Sequence, residues 1–154
     1  MATLHIEMFS PSLCRPTDFY VLMPNDLPVE MQKKNPNYTR PTKTLFLLHG
    51  YTGNNRDWLI RSPIQELSAK YNLAVVLPSG ENGFYVDAKA TGCQYHSLIA
   101  KDILKYVQST LGLAQKAQDT FIGGLSMGGF GALHIGLSHP EVFSKIVALS
   151  SALI

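Results

Sequence analysis

The sequence predicts an α/β fold in which a mostly parallel sheet is covered by helices on both faces. Two observations support this prediction. Several short strand patterns are apolar on both sides instead of alternating with polar residues, and helical patterns separate them along the chain. The chain has 154 residues, of which 45% are hydrophobic and 16% are charged. This length and composition suggest a single domain with one sizeable core.

The first elements of the chain are strands. Residues 4–9 and 19–23 have strand patterns, and the turn-forming residues 10–17 separate them. Residues 24–41 are polar and contain four prolines, and therefore predict an exposed loop.

Strands and helices alternate in the rest of the chain. Strands are predicted at residues 43–48, 73–77, 119–125 and 143–149, and helices at residues 62–71, 94–111 and 127–137. Ser62 and Pro63 are typical of the start of a helix, and Gly112 is typical of a helix end. A long loop rich in glycine and aromatic residues spans residues 79–92.

The last predicted strand leads to an expectation about domain organisation. It is apolar and no helix pattern follows it, which leaves the sheet with an exposed edge and one uncovered face. We therefore expect residues 1–154 to be the N-terminal part of a single larger domain, truncated after about the sixth strand.

Composition excludes several classes of function. The 13 basic and 11 acidic residues give a net charge of +2, and the longest basic feature is Lys33-Lys34, so no nucleic-acid surface is predicted. No apolar run approaches the roughly 20 residues of a membrane-spanning helix, and the N-terminus lacks the pattern of a signal peptide. Cys14 and Cys93 are interpreted as free thiols, and the protein is predicted to be cytoplasmic.

One motif indicates nucleophilic chemistry. Residues 124–128 have the sequence Gly-Leu-Ser-Met-Gly, which matches G-x-S-x-G between a predicted strand and a predicted helix. A nucleophile elbow needs this strand–turn–helix context, with glycines that let the strand and the helix approach closely. We interpret Ser126 as the nucleophile, and the alternative is a serine that caps a glycine-rich helix start. The glycine spacings of dinucleotide-binding and phosphate-binding loops are not met, so no cofactor is predicted.

A second motif follows the predicted strand at residues 43–48. Residues 49–54 have the sequence His-Gly-Tyr-Thr-Gly-Asn, a small turn that can aim backbone N–H groups at developing negative charge. We identify the N–H groups of Tyr51 and Met127 as candidate oxyanion-hole donors. The alternative is an ordinary strand-to-helix turn.

A nucleophilic serine also needs a base and an acid that orients the base. No histidine lies on a loop after a late strand, where the chain order of an elbow-type triad places the base. We interpret the histidines as packing, capping or surface residues: His5, His49, His96, His134 and His139. Glu141 is the only acid after Ser126, so the triad is predicted to be incomplete in this chain. No H-E-x-x-H pattern occurs, and no metal site is predicted.

These motifs together resemble those of the tributyrin esterase branch of the esterase D family. Its members are α/β-hydrolases related to S-formylglutathione hydrolases and to acyl esterases of the feruloyl type. The resemblance covers nearly the whole chain and rests on residues 48–54, Trp58, residues 82–87 and residues 124–129. It implies an α/β-hydrolase sandwich and a carboxylesterase that cleaves short-chain acyl esters through an acyl-enzyme on Ser126.

The resemblance also implies roles for individual residues. The amides of Tyr51 and Met127 would form the oxyanion hole, and Trp58 would line the acyl pocket unless it is a simple core or rim residue. Tyr85 and Asp87 match a family loop near the site and are given no role. Family members continue with the Asp and His of the triad, so this chain alone is expected to lack full esterase activity.

Two alternatives stay open. The chain could come from an S-formylglutathione hydrolase or an acyltransferase of the same fold, and a glutathione pocket would distinguish the former. From a different class, it could be a non-catalytic fragment whose exposed strand at residues 145–149 pairs with another segment. That segment would be its own missing half or a second copy of the chain, and the second copy would give a homo-oligomer. For the favoured esterase, the predicted partner is a small acyl ester, with no nucleic acid and no membrane.

Overall fold

The computed structural model describes residues 1–88 and 90–153. The strands in this part of the chain are β1 (Ala2–Ser10), β2 (Arg15–Met23), β3 (Lys43–Leu48), β4 (Leu73–Pro78), β5 (Asp87–Ala88), β6 (Cys93–Gln94), β7 (Thr120–Leu125) and β8 (Lys145–Leu149). Six of them form one sheet in the order β1-β2-β4-β3-β7-β8, and β5 and β6 form a separate small hairpin. The pairs β1–β2 and β2–β4 are antiparallel, and the pairs β3–β4, β3–β7 and β7–β8 are parallel. The predicted mostly parallel sheet is therefore confirmed.

The helices lie between these strands along the chain. They are α1 (Val29–Lys34), α2 (Asp57–Arg61), α3 (Ile64–Tyr71), α4 (Tyr95–Ser97), a π-helical segment (Leu98–Ile103), α5 (Leu104–Leu111) and α6 (Met127–Ser138). Short 3₁₀ turns occur at Pro36–Thr39 and Ala117–Asp119.

The sheet is buried on both faces. Phe46 and Leu48 of β3 belong to a core that includes residues of α5 and α6, whereas Leu47 belongs to a second core with Ile64 of α3. Successive side chains of a strand point to opposite faces, so the apolar run of β3 supplies both cores. This two-sided burial explains why the strand patterns do not alternate with polar residues.

The prediction of one loop at residues 24–41 was wrong. Helix α1 begins after Pro28, whose carbonyl oxygen accepts the N–H groups of Met31 at 2.9 Å and Gln32 at 3.1 Å. A 3₁₀ turn follows, in which the Asn35 side chain accepts the Asn37 N–H at 3.0 Å. Pro28 and Pro36 therefore precede or begin helical turns, a position in which their missing N–H group is not needed.

The start of the helix predicted at Ser62 was also misplaced. Helix α3 begins at Ile64 with Pro63 at its N-cap position, and the short α2 precedes it. The Ser62 hydroxyl donates to the Trp58 carbonyl at 2.5 Å, so it closes α2 instead of capping α3. The predicted helix at residues 94–111 is present from Tyr95 onward, with a π-helical segment inside it.

Strand β8 is one of the two edge strands of the sheet, opposite β1. It starts at Lys145, two residues later than predicted, because Phe143 is buried against Phe46 and lies outside the ladder. The Val147 side chain is 50% exposed and that of Leu149 is 46% exposed. The sheet thus has the exposed apolar edge expected from the sequence.

Both cysteines are free thiols. No helix within residues 1–88 and 90–153 has the length and apolar character needed to cross a membrane.

Candidate active site

Ser126 occupies a sharp turn between β7 and α6. Its backbone has φ +56° and ψ −114°, a conformation that costs energy for a residue with a side chain. Helix α6 begins at the next residue, so the junction has the strand–turn–helix arrangement of a nucleophile elbow. A Cβ on Gly124 would lie 2.9 Å from the Gly128 Cα and nearer to the Gly128 carbonyl, which shows that the turn closes only because Gly124 lacks a side chain.

Hydrogen bonds with the last residue of β8 and with the segment after it hold this turn. The Ser126 N–H donates to the Leu149 carbonyl at 2.9 Å, and the Ser126 carbonyl accepts the Ala152 N–H at 3.1 Å. The same carbonyl accepts the Phe130 N–H at 3.0 Å as the first bond of α6. The strained backbone of Ser126 is therefore fixed from both sides.

The turn after β3 lies directly against α6. A Cβ on Gly128 would lie 2.6 Å from the His49 carbonyl oxygen and closer still to that of Leu48. Among the residues that the structure describes, the N–H groups of Tyr51 and Met127 donate to no other group. Met127 is the first residue of α6, and an N–H group in the first turn of a helix has no acceptor within the helix. Neither N–H group therefore has a partner within the described structure; Tyr51 lines the cavity described below, whereas Met127 is fully buried.

His49 is a structural histidine. Its side chain is buried, its Nε2 lies 3.0 Å from the Gly80 N–H, and its Nδ1 lies 2.7 Å from the Gly50 carbonyl. Because a backbone N–H can only donate, Nε2 accepts and the proton is on Nδ1, which donates to the carbonyl. Burial lowers the pKa of His49 despite the opposing effect of the Gly50 hydrogen bond. Both ring nitrogens are occupied in the neutral form, so His49 does not fit the role of a general base.

A cavity of about 270 Å³ lies beside Ser126. Its lining residues are His49, Gly50, Tyr51, Asp57, Trp58, Arg61, Leu125 and Ser126. The Trp58 indole N–H donates to the Leu48 carbonyl at 3.1 Å, and this bond fixes the ring at the end of β3. Ser126, Tyr51 and Trp58, which the sequence singled out, thus meet at one cavity, whereas Met127 is buried and is not among its lining residues.

Two charged residues of this cavity were not predicted from the sequence. Asp57 and Arg61 lie on α2, a helix of five residues that was not predicted. Their spacing of four residues, with Trp58 between them, is the one signal that could have placed all three on a short helix beside the site.

The remaining histidines have other partners. Within the described part of the chain, none of them forms a hydrogen bond with Ser126. Their neighbours are Asp18 for His5 at 2.7 Å, His139 for His96 at 2.9 Å, Glu141 for His139 at 3.1 Å, and the Phe130 ring for His134.

Metal ligands are not clustered in this structure. Across residues 1–88 and 90–153, no group of three or more His, Cys, Asp or Glu side chains could hold a metal ion.

Comparison with known proteins identifies one family. Residues 10–154 match the family model described as "Putative esterase". An acetyl esterase of Caldicellulosiruptor saccharolyticus is 44% identical over 154 residues, which make up 100% of this chain and 58% of that protein.

Two solved structures from Staphylococcus aureus are similar over 97% of this chain. One is the fluorophosphonate-binding serine hydrolase FphF, with a TM-score of 0.82 and 28% identity. The other is an S-formylglutathione hydrolase, FrmB, with a TM-score of 0.80 and 30% identity. This chain covers 57% of each, and so spans little more than half the length of these relatives.

Proposed function

This chain belongs to the esterase family that its residues 10–154 match, and from that premise we propose that it carries the nucleophile of a serine carboxylesterase. The observation that carries the proposal is Ser126, held in a strained strand–turn–helix junction at the wall of a cavity. The strain is meaningful because such backbone conformations persist only where the surroundings enforce them, commonly at active sites.

The proposed reaction proceeds through an acyl-enzyme. The Ser126 Oγ attacks the ester carbonyl carbon and loses its proton to a base, and the carbonyl oxygen becomes an oxyanion. The N–H groups of Tyr51 and Met127 donate to this oxyanion, assisted by the positive end of the α6 dipole. The intermediate expels the alcohol, which takes up the proton, and water then hydrolyses the acyl-serine by the same steps.

We assign the base and its acid to residues outside this chain. His49 has both ring nitrogens occupied, and no other histidine bonds to Ser126 in the described structure. The chain covers 58% of the acetyl esterase that it resembles, which leaves room in such a protein for both groups. Without them the chain retains only the contribution of the oxyanion hole and substrate binding.

The substrate is proposed to be a short-chain acyl ester, as in the tributyrin esterase branch. The cavity of about 270 Å³ is just below the roughly 300–1,000 Å³ of typical ligand pockets. Trp58 and Leu125 provide apolar contact for an acyl chain beside Ser126. Long acyl chains would extend beyond this cavity into water and gain nothing from it.

S-formylglutathione hydrolysis is the second candidate. It is supported by the 30% identity and TM-score of 0.80 to the Staphylococcus aureus S-formylglutathione hydrolase. A thioester reacts by the same acyl-enzyme route, so the leaving group alone separates the two candidates. A preference for an oxygen ester over the thioester of the same acyl group favours the carboxylesterase.

The test is covalent labelling of Ser126 by a fluorophosphonate, followed by intact mass. Because the base is missing, we expect slow formation of a single adduct that free imidazole, acting as an external base, accelerates. Ser126→Ala is expected to abolish the adduct, and Ser138→Ala, which removes an exposed helical hydroxyl, is the matched control. Absence of the adduct even with imidazole contradicts the proposal that Ser126 is the nucleophile. Rapid labelling that does not respond to imidazole contradicts the assignment of the base to another segment.

A further inference from the structure

Tyr85 fills a slot between two glycines. Its side chain has no exposed surface. A Cβ on Gly131 would lie 2.5 Å from the Tyr85 ring, and one on Gly80 would lie still closer to it. The ring is therefore wedged between α6 and the loop that follows β4. Burial raises the pKa of the Tyr85 phenol well above its ordinary value, so the hydroxyl keeps its proton and acts as a donor.

The Tyr85 hydroxyl reaches the end of β3. It donates to the His49 carbonyl at 3.1 Å. The same carbonyl oxygen is 2.6 Å from the position that a Cβ on Gly128 would take. It is thus enclosed by α6 on one side and held by Tyr85 on the other, which fixes the plane of the peptide between His49 and Gly50.

The backbone around Tyr85 is strained. Phe84 has φ +50° and Tyr85 has φ +55°, values that bulky residues rarely adopt. The turn is closed by bonds from the Gly83 N–H to the Gly80 carbonyl at 3.0 Å and from the Val86 N–H to the Gly83 carbonyl at 3.2 Å. Two successive aromatic residues in this region indicate that the loop is shaped to place the Tyr85 ring.

Two further hydrogen bonds join this loop to the turn after β3. The Gly80 N–H donates to His49 Nε2 at 3.0 Å, and the Thr52 N–H donates to the Asn82 side-chain oxygen at 2.8 Å. Together with the Tyr85 bond they hold the backbone before and after Tyr51. We call these three bonds the loop clamp.

We propose that Tyr85 is a positioning residue for the oxyanion hole, acting through the His49 carbonyl on the orientation of the Tyr51 N–H. The inference rests on the proposed role of the Tyr51 N–H as an oxyanion donor. Without the hydroxyl, the peptide between His49 and Gly50 can rotate. Because only the Cα and carbonyl carbon of Gly50 separate this peptide from the Tyr51 nitrogen, the rotation also changes the direction of the Tyr51 N–H. A donor that is misplaced by a fraction of an ångström stabilises the transition state less, although the substrate still binds.

The test compares Tyr85→Phe with a matched control, Tyr38→Phe. The Tyr38 hydroxyl also donates to a backbone carbonyl, that of Ala69 at 2.8 Å, but it lies beside α3. In Tyr85→Phe we expect the maximal rate of fluorophosphonate labelling at Ser126 to fall about tenfold, with the half-saturating probe concentration unchanged. The NMR amide signal of Tyr51 is expected to shift as well. Tyr38→Phe should change neither quantity.

The two readouts separate this proposal from the proposed function. If wild type is not labelled at Ser126, the proposed function fails, and the Tyr51 amide signal still decides whether Tyr85 orients this turn. An unshifted Tyr51 signal, or an unchanged labelling rate in a labelled protein, overturns the positioning role. If Tyr85→Phe does not fold, Asn82→Ala removes another bond of the loop clamp without touching the core, and the same shift and slower labelling are required of it.

Discussion

Gly128 joins the two motifs of the candidate site. It is the second residue of α6, and a side chain there would meet the carbonyl oxygens of Leu48 and His49. Both atoms belong to the backbone, so neither can move aside without displacing the end of β3. The missing side chain of Gly128 therefore determines how closely Met127 approaches the turn that contains Tyr51.

Gly128→Ala is expected to destabilise the fold. Overpacking against backbone atoms should cost about 3 kcal/mol, which the gain of about 1 kcal/mol from the better helix propensity of alanine reduces to a net loss of about 2 kcal/mol in the free energy of unfolding. Urea denaturation measures the loss. Gly136→Ala is the control in the same helix, because the atoms nearest to its Cβ would be side-chain atoms of Ile146 and Ile122 and not backbone atoms, and should cost less. Equal losses of unfolding free energy in the two variants would contradict the importance of the close contact between Gly128 and the end of β3.

Single residues differ in how far their roles could be predicted. Ser126 and Tyr51 lie in motifs whose residue types and spacing indicated their proposed roles. Trp58 was assigned to the acyl pocket by the family resemblance. Tyr85 received no role from the sequence, since its importance depends on a positive φ and on a hydrogen bond between loops that are 36 residues apart in the chain. Arg61 was not predicted because it reaches the cavity from a helix of five residues, which is too short to show a helical pattern of apolar residues.

At the scale of elements, three histidines connect the start of the long helical segment to the end of α6. His96 follows Tyr95 in α4, and its Nε2 lies 2.9 Å from that of His139. The His96 and His134 rings are 4.8 Å apart. Burial, and after it the charge of His134, lowers the pKa of His96, whereas Asp87 opposes the shift.

The lowered pKa of His96 is expected to make the free energy of unfolding depend on pH. A histidine whose pKa is lower in the folded state binds fewer protons when folded than when unfolded. The contribution of His96 to stability is therefore fully present above the unfolded pKa of about 6.5 and is lost as the pH falls through the folded pKa. Urea denaturation between pH 8 and pH 5 should show this loss, and His96→Gln should reduce its slope. An equal slope in both proteins would contradict the assignment. His49, whose pKa is lowered in the same direction, contributes to the slope in both proteins.

Elements were predictable where one signal dominated. Strand β3 has the predicted bounds, because a continuous apolar run starts after polar residues and ends at His49-Gly50. Helix α1 was missed since the prolines that flank it, Pro28 and Pro36, resemble loop signals, and none of its six residues is buried. The π-helical segment inside the predicted helix at 94–111 was also missed, because one extra residue in a turn barely alters the apolar spacing.

On the scale of the whole molecule, the sheet divides two cores and ends in an exposed edge. The apolar patterns predicted burial on both faces, but the order β1-β2-β4-β3-β7-β8 depends on pairing between strands remote in sequence. Strand β8 pairs with β7 on one side only, and its Val147 and Leu149 side chains are half exposed. An unpaired apolar edge is a template for further strand pairing.

We therefore expect the chain to self-associate through β8 as its concentration rises. Val147→Lys places a charge on this edge and should shift the sedimentation-velocity distribution toward the monomer. Val29→Lys, at another exposed valine on α1, is the matched control and should leave the distribution unchanged. A wild-type chain that stays monomeric at all concentrations contradicts this prediction.

The location of Trp58 gives the candidate site an optical reporter. The chain contains a single tryptophan, and its ring lines the cavity beside Ser126 while its N–H bonds to the end of β3. Indole emission depends on the polarity around the ring, and with one tryptophan in the chain the tryptophan fluorescence comes from this site alone. A molecule that enters the cavity, or a movement that separates α2 from β3, changes the emission spectrum without any label or turnover.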